Sequence, residues 1–333
     1  MKVLTMGDYI KMSPEKALIK LDDENWGRML GNFLKDFKGR LAIVASGSSH
    51  NVAKCIKDVY EKHLSISVEL IYSNTFVNYA SVNADKYIVI SQSGNSKNSL
   101  KALEKLKANK ADVIFITDNE DYKSNEDYAV EYLDVHDEKV PFVTIGFTTT
   151  LLLLYKALYL ACDLDLKPLF KAIEVAKDLI NKGEGYADMH PELATMDRLS
   201  VAGSGNLYGI ASEVALKFKE TMQVSACHYE IEEFLHGGNF SLKENDFVFL
   251  ITDSLASTRA NEIDEHLNIL TNKSYLFDFS TYIEDELLAL AIIPFFQIIV
   301  YKMNDTLGNH IPLMGERYLA FEGALKSKTK NYY

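Results

Sequence analysis

Cysteine is scarce in this chain of 333 residues: only Cys55, Cys162 and Cys227 occur, far apart and without a CxxC pair. That usage excludes a disulfide framework or a cysteine metal knuckle and fits a reducing cytoplasm. Positive charge is short too. Thirty-five Lys and Arg stand against 47 Asp and Glu, a formal net charge of −12, whereas nucleic acid and anionic membranes require a basic surface. Neither is expected as a partner. Uninterrupted apolar spans are also missing. "TTTLLLLYKALYLACDL" contains Lys156, and "LLALAIIPFFQIIVYKM" is broken by Pro294 and Gln297; both fall short of the ~20 residues of a bilayer crossing. The opening "MKVLTMGDYIKMSPEK" lacks the charged-then-apolar layout of a secretory signal. A soluble, cytoplasmic protein is the expectation. No His/Asp cluster offers a metal site, so neither metal nor cofactor is expected.

What is present is an ordinary globular composition, 47% apolar and 25% charged, in a length that suggests two domains. Residues 8–38 look mainly helical, with Trp26, Met29, Leu30, Phe33, Leu34 and Phe37 recurring at intervals of three and four. From there the chain alternates Val/Ile-rich runs with polar turns and helical patterns. "RLAIVASGSSHNVAKCIKDVYEKH" and "KYIVISQSGNSKNSLKALEKLKANK" each read strand, turn, helix. "RLSVAGSGNLYGIASEVALKFKETM" and "DFVFLITDSLASTRANEIDEHLNIL" repeat the arrangement about 160 residues later, an internal duplication. Continuous apolar strands alternating with helices signal parallel sheets covered on both faces. The expected fold is α/β, with two doubly wound parallel-sheet domains in tandem, each a three-layer αβα sandwich. The boundaries are a helical segment over 1–37, a first domain over 38–165, a helical connection over 166–195, a second domain over 196–318 and a tail over 319–333.

The polar turns carry the first chemical signal. A helix leaves its first N–H groups unpaired and its dipole puts partial positive charge there, so such a turn is a ready anion site. In "SQSGNS" the hydroxyls of Ser91, Ser93 and Ser96 add donors, and Gly94 lets backbone approach a ligand. Ordinary helix capping is the competing reading. "GSGNLYG" (203–209) invites a dinucleotide reading, but Tyr208 stands where the third glycine of the fingerprint belongs. In "SEVALKFKETM", helical spacing sets Glu213, Lys217 and Glu220 along one side of a helix. A solvated ion-pair face, worth under about 1 kcal/mol, is the alternative. Further on, Glu233 and His236 precede a Gly-Gly turn, where a satisfied loop histidine is the bland reading.

Together "SQSGNS", "EVALKFKE" and "EEFLHG" resemble the sugar isomerase (SIS) family of phosphosugar-binding domains, from about residue 38 to the end. The family includes the isomerase half of glucosamine-6-phosphate synthase and stand-alone phosphosugar isomerases, deaminases and deglycases. By this resemblance Ser46, Gly47, Ser48 and Ser49 form a first phosphate and sugar turn, with Ser49 at its key serine. Ser91, Gln92, Ser93 and Ser96 form the second, and Glu138 is a further substrate contact. Lys217 and Glu220 match the family's "ALKxKE" helix, which makes Glu220 the base that moves a proton between C1 and C2. His236 matches the ring-opening histidine, which in relatives reaches a neighbouring subunit's site, so a homodimer with shared sites is implied. "ALKSKT" resembles the synthase tail and would place Lys326 over the sugar.

The chemistry asks for these residue types. Shifting a carbonyl between C1 and C2, or expelling an amine there, passes through an enediol or enamine. One carboxylate takes and returns the proton, an imidazole opens the ring, and a nearby cation lowers the oxyanion barrier without a metal. Phosphate contacts turn remote binding energy into positioning. Three departures from the synthase pattern matter: Ile145 replaces its lysine in "EKVPFVTIGFTT", the loop reads "HGGN", and no glutaminase domain or N-terminal cysteine nucleophile is present. Glutamine-dependent synthesis is not expected. The expectation is a phosphosugar enzyme that performs isomerising deamination or deglycation of a 6-phosphorylated amino sugar or ketosamine. Simple aldose–ketose isomerisation is the rival, and a non-catalytic sugar-phosphate sensor is the rival from another class.

Overall fold

The computed structural model describes residues 4–135, 138, 140 and 142–308. Two helices come first, α1 (Met6–Asp22) and α2 (Arg28–Leu34). Two compact units follow from the packing. Among the described residues, one comprises Ile19–Glu138 and Thr149–Leu166; the other takes the chain up to Leu18, the short stretch ending at Thr148, and residues 167–308. The chain therefore changes unit more than once, within α1 and again near Thr148, rather than at a single connection.

The first unit is built on β1 (Arg40–Ala45), β2 (Ser67–Tyr72), β3 (Lys86–Ile90), β4 (Asp112–Thr117) and β5 (Ala129–Tyr132). The order is β2-β1-β3-β4-β5 and every pairing is parallel. Ile43 of β1 stands level with Leu70 of β2 and Ile88 of β3. Parallel neighbours need crossovers, which α3 (Ser48–Leu64), α4 (Ser73–Asn78) and α5 (Lys97–Ala108) supply. Strand order reverses between β1 and β3, so the chains leaving their carboxyl ends diverge and open a crevice there. Both polar turns singled out in the sequence sit at that point.

The apolar run around residue 150 is helix α6 (Ile145–Ala161), with Leu151–Leu154 fully buried. Lys156 is buried within it because its ammonium donates to three backbone carbonyls, Lys20 O at 2.9 Å, Leu21 O at 3.1 Å and Asp23 O at 2.6 Å. Those are orphan carbonyls at the end of α1, so one buried cation replaces a missing helix cap.

The second unit carries β6 (Arg198–Gly203), β7 (Ser225–Tyr229), β8 (Phe247–Thr252) and β9 (Ser274–Asp278) in the parallel order β7-β6-β8-β9. Its helices are α7 (Lys167–Met189), α8 (Asn206–Met222), α9 (Ile231–Glu233), α10 (Ser257–Leu270) and α11 (Leu288–Thr306). The topology of the first four strands thus recurs, as the duplication predicts, with one strand fewer. The run around Pro294, expected to fall short of a bilayer crossing, is part of a stretch, Asp285–Thr306, that is long and apolar enough for one, and most of it is buried. Helix α11 packs on α7 at Gly183, where a Cβ would come within 2.5 Å of Ile298 Cγ2 and 2.8 Å of Phe295 O.

Candidate active site

In the first unit both turns follow their strands at the crevice. Gly47 adopts φ 58° and starts α3, so Ser48 and Ser49 occupy its first turn while Ser46 is exposed. The second turn closes on itself through Gly94 N–H donating to Ser91 O at 2.9 Å and Asn95 Nδ2 donating to Ser93 O at 2.8 Å. Gly94 has φ 60°, and a Cβ there would meet Asn119 Cβ at 2.7 Å, so the turn has no room for another residue. Ser91 is buried, and Gln92, Ser93 and Ser96 are half-buried. Gln92 Nε2 donates to Glu138 Oε2 at 3.2 Å, which brings two predicted site residues together.

Ser96 is the N-cap of α5 by position, yet its side chain makes no capping bond, and neither does Gly47 at α3 offer one. Among the described residues, the hydroxyls of Ser46, Ser49, Ser91 and Ser96 have no protein partner. Ordinary capping therefore does not account for these serines.

In the second unit α8 is enclosed on most of its circumference, with Ile210, Val214, Ala215 and Phe218 fully buried. The Glu213–Lys217–Glu220 row is accordingly not a solvated face. Lys217 is only 2% exposed and its ammonium lies 3.3 Å from Glu213 Oε1 and 2.6 Å from Glu220 Oε2. Glu213 is wholly buried, whereas the Glu220 side chain keeps 30% of its surface open. Burial pulls the Lys217 pKa down, but the two carboxylates more than offset it and hold the ammonium well above its usual range. The row thus has a buried anion, a permanently charged cation and an accessible carboxylate at its end. Such a carboxylate can take a proton from a bound carbon acid.

His236 is exposed in a one-turn π-helical segment, Phe234–Gly238, after α9. Gly237 beside it takes φ 153° with nothing within 4 Å of a notional Cβ. Ile145, at the synthase lysine's position, is buried as the first residue of α6. Lys326 and the tail 319–333 lie outside the described residues.

Two carboxylates escaped the sequence reading of the site, and a third, Glu213, was read without its burial. Glu213 was visible only as helical spacing; its complete burial depends on what packs around α8. Glu230, the N-cap of α9, accepts from the Ser204 hydroxyl at 2.7 Å and so fills the turn after β6. Asp285 does the same after β8, accepting from Ser254 N–H at 3.1 Å and from the Ser254 hydroxyl. No local motif announces either carboxylate, since their partners are 26 and 31 residues away.

The SIS domain profile matches residues 34–160 and 192–274. A glutamine–fructose-6-phosphate aminotransferase (isomerizing) of Sulfurisphaera tokodaii is 26% identical over 282 residues, covering 81% of this chain and 47% of that protein. The chain thus spans about half the length of that relative. Among solved structures, a candidate phosphosugar isomerase of Clostridium difficile 630 superposes with a TM-score of 0.85 at 18% identity, covering 96% of this chain and 99% of the other. Glucosamine-6-phosphate deaminase of Thermotoga maritima superposes with a TM-score of 0.78 at 19% identity, covering 92% and 96%. At such identities the structural likeness is one of fold.

Proposed function

The chain belongs to the SIS domain family, and from that premise we propose that it is a phosphosugar enzyme acting on a 6-phosphorylated amino sugar or ketosamine and releasing ammonia or an amine at C1 or C2. The turns Ser46–Ser49 and Ser91–Ser96 hold the phosphate and nearby hydroxyls, with Glu138 as a further contact through Gln92. For a 2-amino aldose, Glu220 takes the proton from C2 and returns it to C1. Water then hydrolyses the resulting C2 imine to a ketose and ammonia. Lys217 keeps Glu220 oriented and supplies positive charge near the forming oxyanion. His236 opens the sugar ring, and Lys326 covers the substrate.

The observation that carries this reading is the 2.6 Å pair of Lys217 with Glu220, in which only Glu220 remains accessible. That exposure leaves the Glu220 carboxylate where a bound substrate can reach it, while Lys217 and Glu213 stay buried. The proposal includes a homodimer with shared sites, as the family resemblance implies, and the exposed position of His236 is compatible with a residue that completes a site in a second copy of the chain. Mixing inactive Glu220→Gln and His236→Ala chains should restore part of the activity; mixed dimers that stay inactive would remove the shared-site element.

The main test incubates purified protein with a panel of 6-phosphorylated amino sugars and fructosamines and assays released amine. Amine release with ketose or aldose phosphate formation supports the proposal. Ketose–aldose interconversion without amine release would instead establish simple isomerisation, which uses the same proton transfer. No turnover and no binding of any sugar phosphate would overturn the enzyme reading.

A further inference from the structure

His50, in the first turn of α3 directly after Ser49, is 4% exposed, and neither of its ring nitrogens has a hydrogen-bond partner. A buried imidazole without partners is unfavourable, and its persistence calls for a reason. The ring lies face to face with Tyr72, centroids 3.8 Å apart and planes 14° from parallel. Tyr72 ends β2 and stands level with Ala45, the last residue of β1 before the Ser46–Ser49 turn. The pair therefore sits at the same carboxyl edge as that turn, one strand outward. Tyr72 is 51% exposed, so the cover over His50 is itself a surface side chain free to turn away.

The chemistry of the partner follows from the surroundings. Burial, aided by the Lys54 charge one helical turn on, favours the neutral imidazole and pushes its pKa down to about 4. A neutral imidazole carries one N–H donor and one lone-pair acceptor. An anion would use only the donor and would favour protonation that this setting opposes. A hydroxyl satisfies either nitrogen in either tautomer, and an aromatic ring beside it offers a face to the C–H side of a sugar.

We propose that His50 and Tyr72 form a sugar-hydroxyl subsite next to the first turn, with Tyr72 covering the imidazole until substrate displaces it. This inference rests on the phosphosugar reading above. His50 is thus a binding residue that contacts the sugar rather than the phosphate.

The test pairs stability with binding. His50→Phe keeps the aromatic stack but removes both unpaired nitrogens. It should raise the melting temperature of the free protein, weaken D-fructose 6-phosphate binding about tenfold by calorimetry, and leave inorganic phosphate binding unchanged. His50→Gln, which keeps a donor and an acceptor, should recover part of the sugar-phosphate affinity. In the unaltered protein, the His50 ring ¹⁵N resonances should move on adding D-fructose 6-phosphate and stay in place with inorganic phosphate. That measurement needs no variant to fold. A lower melting temperature with unchanged sugar-phosphate affinity, or ¹⁵N shifts indifferent to the sugar, would overturn the subsite. Wild-type protein that binds phosphate but no sugar phosphate would overturn the functional reading and the subsite with it.

Discussion

The two sheets present the same crossover twice, and they treat it in opposite ways. After β1 and β3 the turns are lined by serines whose hydroxyls are largely unoccupied, with neutral backbone N–H groups around them. After β6 and β8 the corresponding turns are filled by the protein's own carboxylates, Glu230 on Ser204 and Asp285 on Ser254, while Asp253 Oδ1 accepts from Leu255 N–H and Ala256 N–H. A side-chain carboxylate offers the same kind of acceptor oxygens as a phosphate, so the second copy supplies internally what the proposed function assigns to a ligand in the first. The fold alone therefore does not make a binding site. In the proposed division of labour the first unit's turns hold the phosphate, and in the second unit the proposed base lies on α8.

If that division is right, substitutions on α8 should act on turnover and those in the first turns on binding. Glu220→Gln should have the largest effect, lowering kcat about 10²–10⁴-fold with KM little changed, because the amide keeps size and hydrogen bonding but cannot accept the proton. Steady-state kinetics on any substrate found active would check it, and near wild-type turnover would return Glu220 to a structural ion pair. Lys217→Met should cost about 3–5 kcal/mol in urea unfolding, since it removes the cation beside the buried Glu213 carboxylate. The double variant Lys217→Met with Glu213→Leu should recover much of that loss, even though it remains inactive.

The sharpest comparison is between the copies. Ser91→Ala with Ser93→Ala should raise KM tenfold or more, from the roughly 1.5–3 kcal/mol that hydrogen bonds to a charged group contribute, with melting hardly altered. Ser254→Ala should do the reverse, losing roughly 1 kcal/mol of stability through its bond to Asp285 and leaving KM unchanged. Equal effects on KM would break the contrast. The smallest expected effect is a pH dependence. The folded pKa of His50, about 4, lies below its ordinary 6.5. The unfolded chain therefore binds more protons as pH falls through 6.5, and the stability His50 contributes is present above that value and lost on the way to 4. Urea midpoints should fall more steeply across this window in the wild type than in His50→Phe.

Much of the fold was legible because parallel strands buried on both faces read as continuous apolar runs, such as Ile43–Ala45 and Tyr87–Ile90, and the polar turns interrupt them sharply. The serine turns and the "ALKFKE" spacing were legible for the same reason: they are local. Burial was not. Lys217 looks like any surface lysine until α8 is seen enclosed, and Lys156 looks like a break in an apolar run until the α1 carbonyls gather around it. The His50–Tyr72 stack joins residues 22 positions apart through the β1–β2 pairing, and Asp285 reaches Ser254 across 31. Such contacts belong to the register of the sheet and to loops that return to it, which no short window contains.

The partly open flank of Glu220 has a consequence for the fate of hydrogen. A proton taken up by a carboxyl group that retains 30% of its surface is within reach of water before it is handed back. Lys217 beside it is held charged by the two carboxylates. With Glu220 as the proposed base, the enzyme should therefore keep a poor memory of the atom it removes. Product formed in heavy water should carry solvent deuterium at the receiving carbon, and substrate recovered part-way through should already be labelled. The isotope pattern of the sugar would thus record how long Glu220 stays protonated relative to the arrival of water, a clock set by one side chain's exposure.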